Sequence, residues 1–144
     1  MSNEKLVNAL KAAFVGYESN DKEPLFALLP SDFVFEQTDC VPYGGRYEGP
    51  DEFRGYWREV GKKWKYFRYN ADDIIDAGDT LIVVVKTDAL SVDDIVMRND
   101  HLFLFKAKDG VPTYCRLYAD TGRARDVLEG REPRKYPKPD LSKV

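Results

Sequence analysis

Two acidic residues set in strand-like stretches are this chain's best candidates for chemistry. The run Arg98-Asn99-Asp100-His101-Leu102-Phe103-Leu104-Phe105 reads as a strand. Its Asp100 takes a position expected to face the interior of a curved sheet. A carboxylate there is costly unless it is paired, hydrogen-bonded or held neutral, and a neutral one can act as an acid or donate to an oxyanion. The competing role is an ion-pair member beside Arg98, Lys86 or Arg116. Asp88 is the second candidate. Lys86 and Asp88 share one face of a strand, so an inward-facing pair would supply a base and its charge partner. Against this, Leu81, Val83 and Val85 would face inward if the pair is solvated, and the unbroken apolar run 81–85 hides the alternation.

Tyr17 is the third candidate. At the end of a helix its hydroxyl can polarise a substrate carbonyl; equally, it can be a core tyrosine with a satisfied hydroxyl. His101 is the single histidine. As the strand neighbour of Asp100 it is expected on the outer sheet face, at a dimer contact. One histidine excludes any site that needs a histidine pair, and with scattered carboxylates it makes a poor metal-ligand set. Cys40 and Cys115 form no zinc or redox motif and are expected as free thiols. Cys115 and Leu117 should face inward on the last strand, the cysteine as packing.

The elements that must position these groups follow from periodicity. Residues 3–19 place Leu6, Leu10, Ala13, Phe14 and Tyr17 at helical spacing. Asn20-Asp21 breaks this helix, and Asp21 can cap a short second one with Pro24 in its first turn. Residues 33–37 read as a strand and 38–49 as a Gly-, Pro- and Tyr-rich loop. Gly49-Pro50-Asp51-Glu52 starts a third helix, with Phe53, Tyr56, Trp57, Val60 and Trp64 on one side. Strands follow at 66–75, 80–90, 95–106 and 112–120, with a hairpin turn at Lys108-Asp109-Gly110. Residues 121–128 suit a short helix. This order is α+β, with helices gathered on one face of a curved antiparallel sheet.

A chain of 144 residues, 43% apolar and 33% charged, suits one folded domain. Its net charge of −3 argues against nucleic-acid binding. No apolar run approaches the roughly 20 residues of a membrane span. The opening Met1-Ser2-Asn3-Glu4-Lys5 lacks a signal-peptide layout, so a cytoplasmic location is expected. The domain is expected over 1–128. Residues 129–144, with three prolines and five basic residues, are expected as a flexible tail.

The element order resembles the NTF2-like superfamily, and within it the SnoaL-like and ketosteroid-isomerase-like proteins. The resemblance is carried over about residues 5–128 by Tyr17-Glu18-Ser19-Asn20-Asp21, Ser31-Asp32-Phe33-Val34-Phe35-Glu36, Tyr47-Glu48-Gly49-Pro50-Asp51-Glu52-Phe53, Asp100 to Phe105 and Tyr118-Ala119-Asp120-Thr121. It implies a cone: a bent sheet wrapped around a deep pocket that three N-terminal helices close. By position Asp100 resembles the protonated aspartic acid of ketosteroid isomerase, a carboxylic acid kept neutral by its apolar site. That enzyme's general base falls on Gln37 and its helix tyrosine on Ala13. Lys86-Thr87-Asp88 resembles the Arg-x-Asp of limonene epoxide hydrolase, but the water-holding residues of that enzyme fall on Gln37 and Phe35, and its third carboxylate on Leu117. Tyr17 and its neighbours resemble the opening of scytalone dehydratase.

The resemblance therefore implies a cofactor-free acid–base enzyme, an isomerase, cyclase or dehydratase acting on a small hydrophobic carbonyl or hydroxyl compound. Asp100, Asp88 and Tyr17 would be its catalytic residues. Gln37, Lys86, Trp57, Phe35, Tyr56, Cys115 and Leu117 would line the substrate site. No metal or cofactor is called for, and a homodimer through the outer sheet face is expected. The alternative is a non-catalytic small-molecule-binding module, since fold alone does not fix function.

Overall fold

The computed structural model describes residues 3–143; Met1, Ser2 and Val144, which the expected domain and tail include, lie outside it. Helix α1, Glu4–Glu18, buries Leu6, Leu10, Ala13, Phe14 and Tyr17, the stripe its sequence spaces out. It stops where Asn20 turns left-handed at φ 64°, a conformation asparagine tolerates. The chain then folds back so closely that a Cβ on Gly16 would meet the Pro24 ring at 2.9 Å. Helix α2, Glu23–Phe26, follows, and Asp21 Oδ1 accepts a bond from the Glu23 amide at 3.0 Å.

Strand β1, Val34–Gln37, pairs with β2, Gly45–Glu48, inside the stretch expected to be loop. Helix α3, Gly49–Lys63, begins at its Gly-Pro signal and carries two acids in its first turn and two lysines in its last, matching the helix dipole. Trp64, expected on this helix, is instead the first residue of β3, Trp64–Asp76. The remaining elements are β4, Thr80–Ser91, β5, Val96–Lys108, β6, Val111–Ala119, and α4, Thr121–Leu128. Asp109 and Gly110, both at positive φ, make the β5–β6 hairpin turn.

The six strands form one curved, unclosed sheet in the order β2-β1-β6-β5-β4-β3. Neighbours are antiparallel except β1 and β6, which run parallel. That pair corrects the expectation of a purely antiparallel sheet. Helix α1 packs on β3, and α3 on β1, β2 and β3, so the core lies between helices and sheet. The core is unusually aromatic: Phe14, Tyr17, Phe33, Phe35, Phe53, Tyr56, Tyr69, Phe103 and Phe105 are all essentially buried.

The C-terminal segment starts out fastened. Asp126 on α4 is 4% exposed. Its carboxylate accepts from the Arg134 amide at 3.0 Å and pairs with the Arg131 and Arg134 guanidiniums at 3.1 Å. Beyond this clamp, residues 135–140 are exposed and irregular, ahead of a 3-10 turn at Leu141–Lys143.

Candidate active site in the cone interior

Strand alternation decides which side chains enter the cone, and β5 settles the question against Asp100. Met97, Asn99, His101, Phe103 and Phe105 are buried, whereas Val96, Arg98, Asp100, Leu102 and Lys106 are exposed. The expectation that Asp100 faces the pocket and His101 faces out is thus corrected: the two are exchanged. On β4, Leu81, Val83, Val85, Thr87 and Ala89 point inward, which leaves Lys86 and Asp88 on the outer face.

The outward carboxylates are members of cross-strand ion pairs. Asp100 sits opposite Lys86 and binds its Nζ at 2.6 Å; Asp88 sits opposite Arg68 and binds it at 2.8 Å. The Lys86 hydrogen bond pulls the Asp100 carboxyl below its ordinary range, the reverse of the rise expected in an apolar pocket. Both acids and Lys86 instead line a cleft of about 340 Å³ on the outer face.

The other expected residues do converge inside. Tyr17, Phe35, Tyr56, Cys115 and Leu117 are at most 2% exposed, and Gln37 is 6% exposed. Trp57 is partly buried at the rim, its ring 5.7 Å from that of Tyr17. Tyr69, Thr87, Asn99 and His101 join them without having been expected there. One signal was available: the phase of β5 that holds His101 carries no charge, while the other phase holds Arg98, Asp100 and Lys106.

These groups form a polar cluster with no formal charge. Tyr56 donates to Gln37 Oε1 at 2.6 Å, and the Trp64 indole N–H donates to the Tyr43 hydroxyl at 3.2 Å. The Asn99 amide is spent on the Asp120 carbonyl at 3.0 Å. His101 Nδ1 lies 3.3 Å from the Tyr69 hydroxyl. Burial drives the His101 pKa down to about 4, with Asp100 and Asp120 opposing the shift, so its ring is neutral near pH 7. Burial likewise holds Tyr17, Tyr56 and Tyr69 well above the usual phenol value, as protonated donors, with the Trp57 side chain opposing the shift at Tyr17. The Cys115 thiol is also pushed up by burial and is no nucleophile.

Four buried polar atoms have no hydrogen-bond partner among the described residues: the Tyr17 hydroxyl, Trp57 Nε1, Thr87 Oγ1 and His101 Nε2. Buried polar groups are normally satisfied. All four belong to residues on the concave side. Of these four residues only His101 borders, with Gln37, Tyr43, Tyr56, Met97 and Leu117, a cavity of only about 10 Å³, close to the space of one water. The deep pocket expected from the resemblance is therefore nearly filled by aromatic rings. Among the described residues no group of three or more His, Cys, Asp or Glu side chains is placed to hold a metal ion, and no helix is long and apolar enough to cross a membrane.

Comparison with known proteins bears on this arrangement. A family model described as a SnoaL-like domain matches residues 10–111. None of the proteins of curated function matches the chain. Among solved structures, an NTF2-like protein of unknown function from Burkholderia pseudomallei is 21% identical, covers 89% of this chain and 98% of its own, and superposes with a TM-score of 0.76. TerC, co-crystallised with polyporic acid, is 18% identical over 88% of this chain and 98% of its own, with a TM-score of 0.78. A protein of ketosteroid isomerase-like fold from Catenulispora acidiphila, in complex with trimethylamine, is 14% identical over 94% of this chain and 100% of its own, with a TM-score of 0.69. At these identities the similarity establishes the fold.

Proposed function

The chain belongs to the SnoaL-like domain family, and from that premise we propose that its cone interior binds a small, mostly apolar carbonyl or hydroxyl compound and moves a proton on it without a cofactor, as an isomerase or cyclase. The observation that carries this reading is the set of four unpartnered buried polar atoms on one side of the sheet. Polar atoms of a ligand that reached them would supply missing bonds. The surrounding Phe14, Phe103 and Trp57 rings suit its apolar body. The co-crystallisation of TerC with polyporic acid is in keeping with such a use of this fold.

The chemistry follows from groups that are neutral at rest. Tyr17 and the Trp57 N–H are donors placed for an oxygen that gains negative charge. When His101 carries its proton on Nδ1 and donates it to the Tyr69 oxygen, Nε2 is left as an acceptor inside the cone. Nε2 can then take a proton from a carbon next to the carbonyl and return it elsewhere. Charge developing on the ligand oxygen offsets the burial that otherwise disfavours the imidazolium. Gln37, held by Tyr56, orients the substrate. In this scheme Asp100 and Asp88 have no part.

The narrowness of the cavity favours a second reading, a binding module that opens for its ligand and performs no reaction. A cytoplasmic homodimer remains part of the proposal. Leu102 and Tyr118, paired across β5 and β6, are 41% and 48% exposed on the outer sheet face, where a second copy would cover them.

The single histidine makes the test direct, because its ring resonances report on the interior alone. Small cyclic ketones, enols and phenols are titrated into labelled protein, and a binder should shift the His101 ring signals. Binders are then incubated in D₂O, where the enzyme reading expects deuterium to enter next to the carbonyl faster than with His101→Leu. Binding without exchange selects the binding module. A panel in which nothing moves the His101 signals overturns both.

A further inference from the structure

Lys22 sits at the rim of the interior, where the nearby Asp21 charge favours its charged form. No carboxylate lies within ion-pair distance of it among the described residues. Its Nζ instead donates to two neutral acceptors at 2.6 Å, the Phe67 carbonyl and Asn20 Oδ1. The same Nζ lies 5.2 Å from the centre of the Tyr17 ring and 4.8 Å from that of Trp57. Those two aromatics own two of the four unpartnered polar atoms. Charges taken out of water are normally paired; here the ring faces offer only a weaker substitute.

On its outer side Lys22 lines a cleft of about 400 Å³ with Asp21, Glu23, Phe26, Arg54, Trp57 and Arg58. Within it Arg54 is already paired with Glu23 and covers the Phe26 ring, and Asp21 is bound to the Glu23 amide. Arg58 has no ion-pair partner among the described residues. Lys22 and Arg58 are thus two cations in the cleft that no described carboxylate pairs, and Lys22 leads inward to Trp57 and Tyr17.

We propose that Lys22 is a binding and specificity residue for an organic anion. The ligand would be a flat aromatic or enolic compound whose ionised oxygen pairs with Lys22 while its carbonyl side enters toward Tyr17 and Trp57. This rests on the reading of the interior as a ligand site and narrows it: the preferred substrates are carboxylates, enolates or phenolates rather than their neutral counterparts. Lys22 keeps a positive charge for the purpose near neutral pH, although burial lowers its pKa to about 8. Arg58 supplies the field that draws the anion to the cleft.

The test uses two probes of nearly the same shape, naphthoate and the neutral methyl ketone acetonaphthone. Binding is measured calorimetrically and by the His101 ring signals. Wild-type protein should bind naphthoate more tightly. Lys22→Met should weaken naphthoate roughly 10- to 100-fold, the range for a hydrogen bond to a charged group, and leave acetonaphthone nearly unchanged. Lys22→Arg, which keeps the charge, should retain most of the naphthoate affinity and guards against a folding artefact in the Met variant. Equal naphthoate binding by wild type and Lys22→Met overturns the inference, and so does naphthoate binding that leaves His101 unmoved. In both cases, acetonaphthone binding that shifts His101 leaves the interior reading standing. If neither probe binds, the two fall together.

Discussion

The Tyr69 hydroxyl and His101 Nδ1 lie 3.3 Å apart on strands that are not neighbours, since β4 runs between β3 and β5. The contact is possible because both strands turn the same phase into the cone. It fixes one imidazole nitrogen and leaves the other without a partner among the described residues.

His101 should make the protein acid-sensitive. Its folded pKa is about 4 against an ordinary imidazole value of 6.5, so the unfolded chain binds more protons between those limits. Stability should therefore fall as pH drops through that window, by at most roughly 1.4 kcal/mol per pH unit. Chemical denaturation at several pH values checks this, and His101→Gln should remove most of the slope. A ring that titrates near its ordinary value by NMR would contradict the burial.

Tyr17→Phe and Tyr56→Phe should have opposite signs. The Tyr17 hydroxyl has no hydrogen-bond partner among the described residues, so its removal should stabilise the empty protein by on the order of 1 kcal/mol while weakening ligand binding. A fall in its melting temperature would show that the hydroxyl is satisfied.

Tyr56 donates to buried Gln37. Deleting that donor leaves a buried acceptor unmet and should cost about 1–3 kcal/mol. Thermal unfolding of the single variants and of Tyr56→Phe/Gln37→Leu checks it: the double variant should recover part of the loss.

Asp100→Asn and Asp88→Asn should do little. Solvent screens the exposed Asp100 pair and partly screens the half-buried Asp88 pair, so neither contributes much to stability, and both carboxylates point to the outer face. Ligand-induced shifts of His101 should be unchanged in both variants. A large loss of affinity or turnover in either would return these acids to the site.

Asp126 governs the start of the C-terminal segment. Its carboxyl is held at about 2, chiefly by the Arg134 amide. A depressed carboxylate stabilises fully above its unfolded pKa near 4 and loses that contribution as pH falls toward 2. Asp126→Ala should free Arg131 and Arg134 and speed tryptic cleavage after them at neutral pH. Unchanged cleavage would show that the clamp is dispensable.

Helices, the β5–β6 turn and the order of strands were legible because each rests on local signals: the Leu6–Tyr17 stripe, Gly49-Pro50, Asp109-Gly110. Strand β2 was not, since four residues of mixed polarity within a Gly-rich loop become a strand only by pairing with β1. The Asp100/His101 exchange shows a different limit. A one-residue slip in register reverses every side chain, and positional resemblance favoured one phase while charge content favoured the other. The Lys86 and Asp88 placement was open for a related reason, the unbroken apolar run from Leu81 to Val85. Asp126 and its arginines escaped notice because the partners come from an irregular segment with no period to read.

The parallel pairing of β1 with β6 also sets an order of assembly. Glu36 and Arg116, bonded across that seam, are 80 positions apart. While the chain emerges from a ribosome, β1 has no partner on that edge until nearly the whole domain has been synthesised, and such distant contacts close slowly. Gln37 and Phe35 ride on β1. The polar wall of the cone therefore reaches its final geometry last, after the β3–β6 meander has already formed from near neighbours, and any chain cut short before β6 lacks the edge on which that wall is hung.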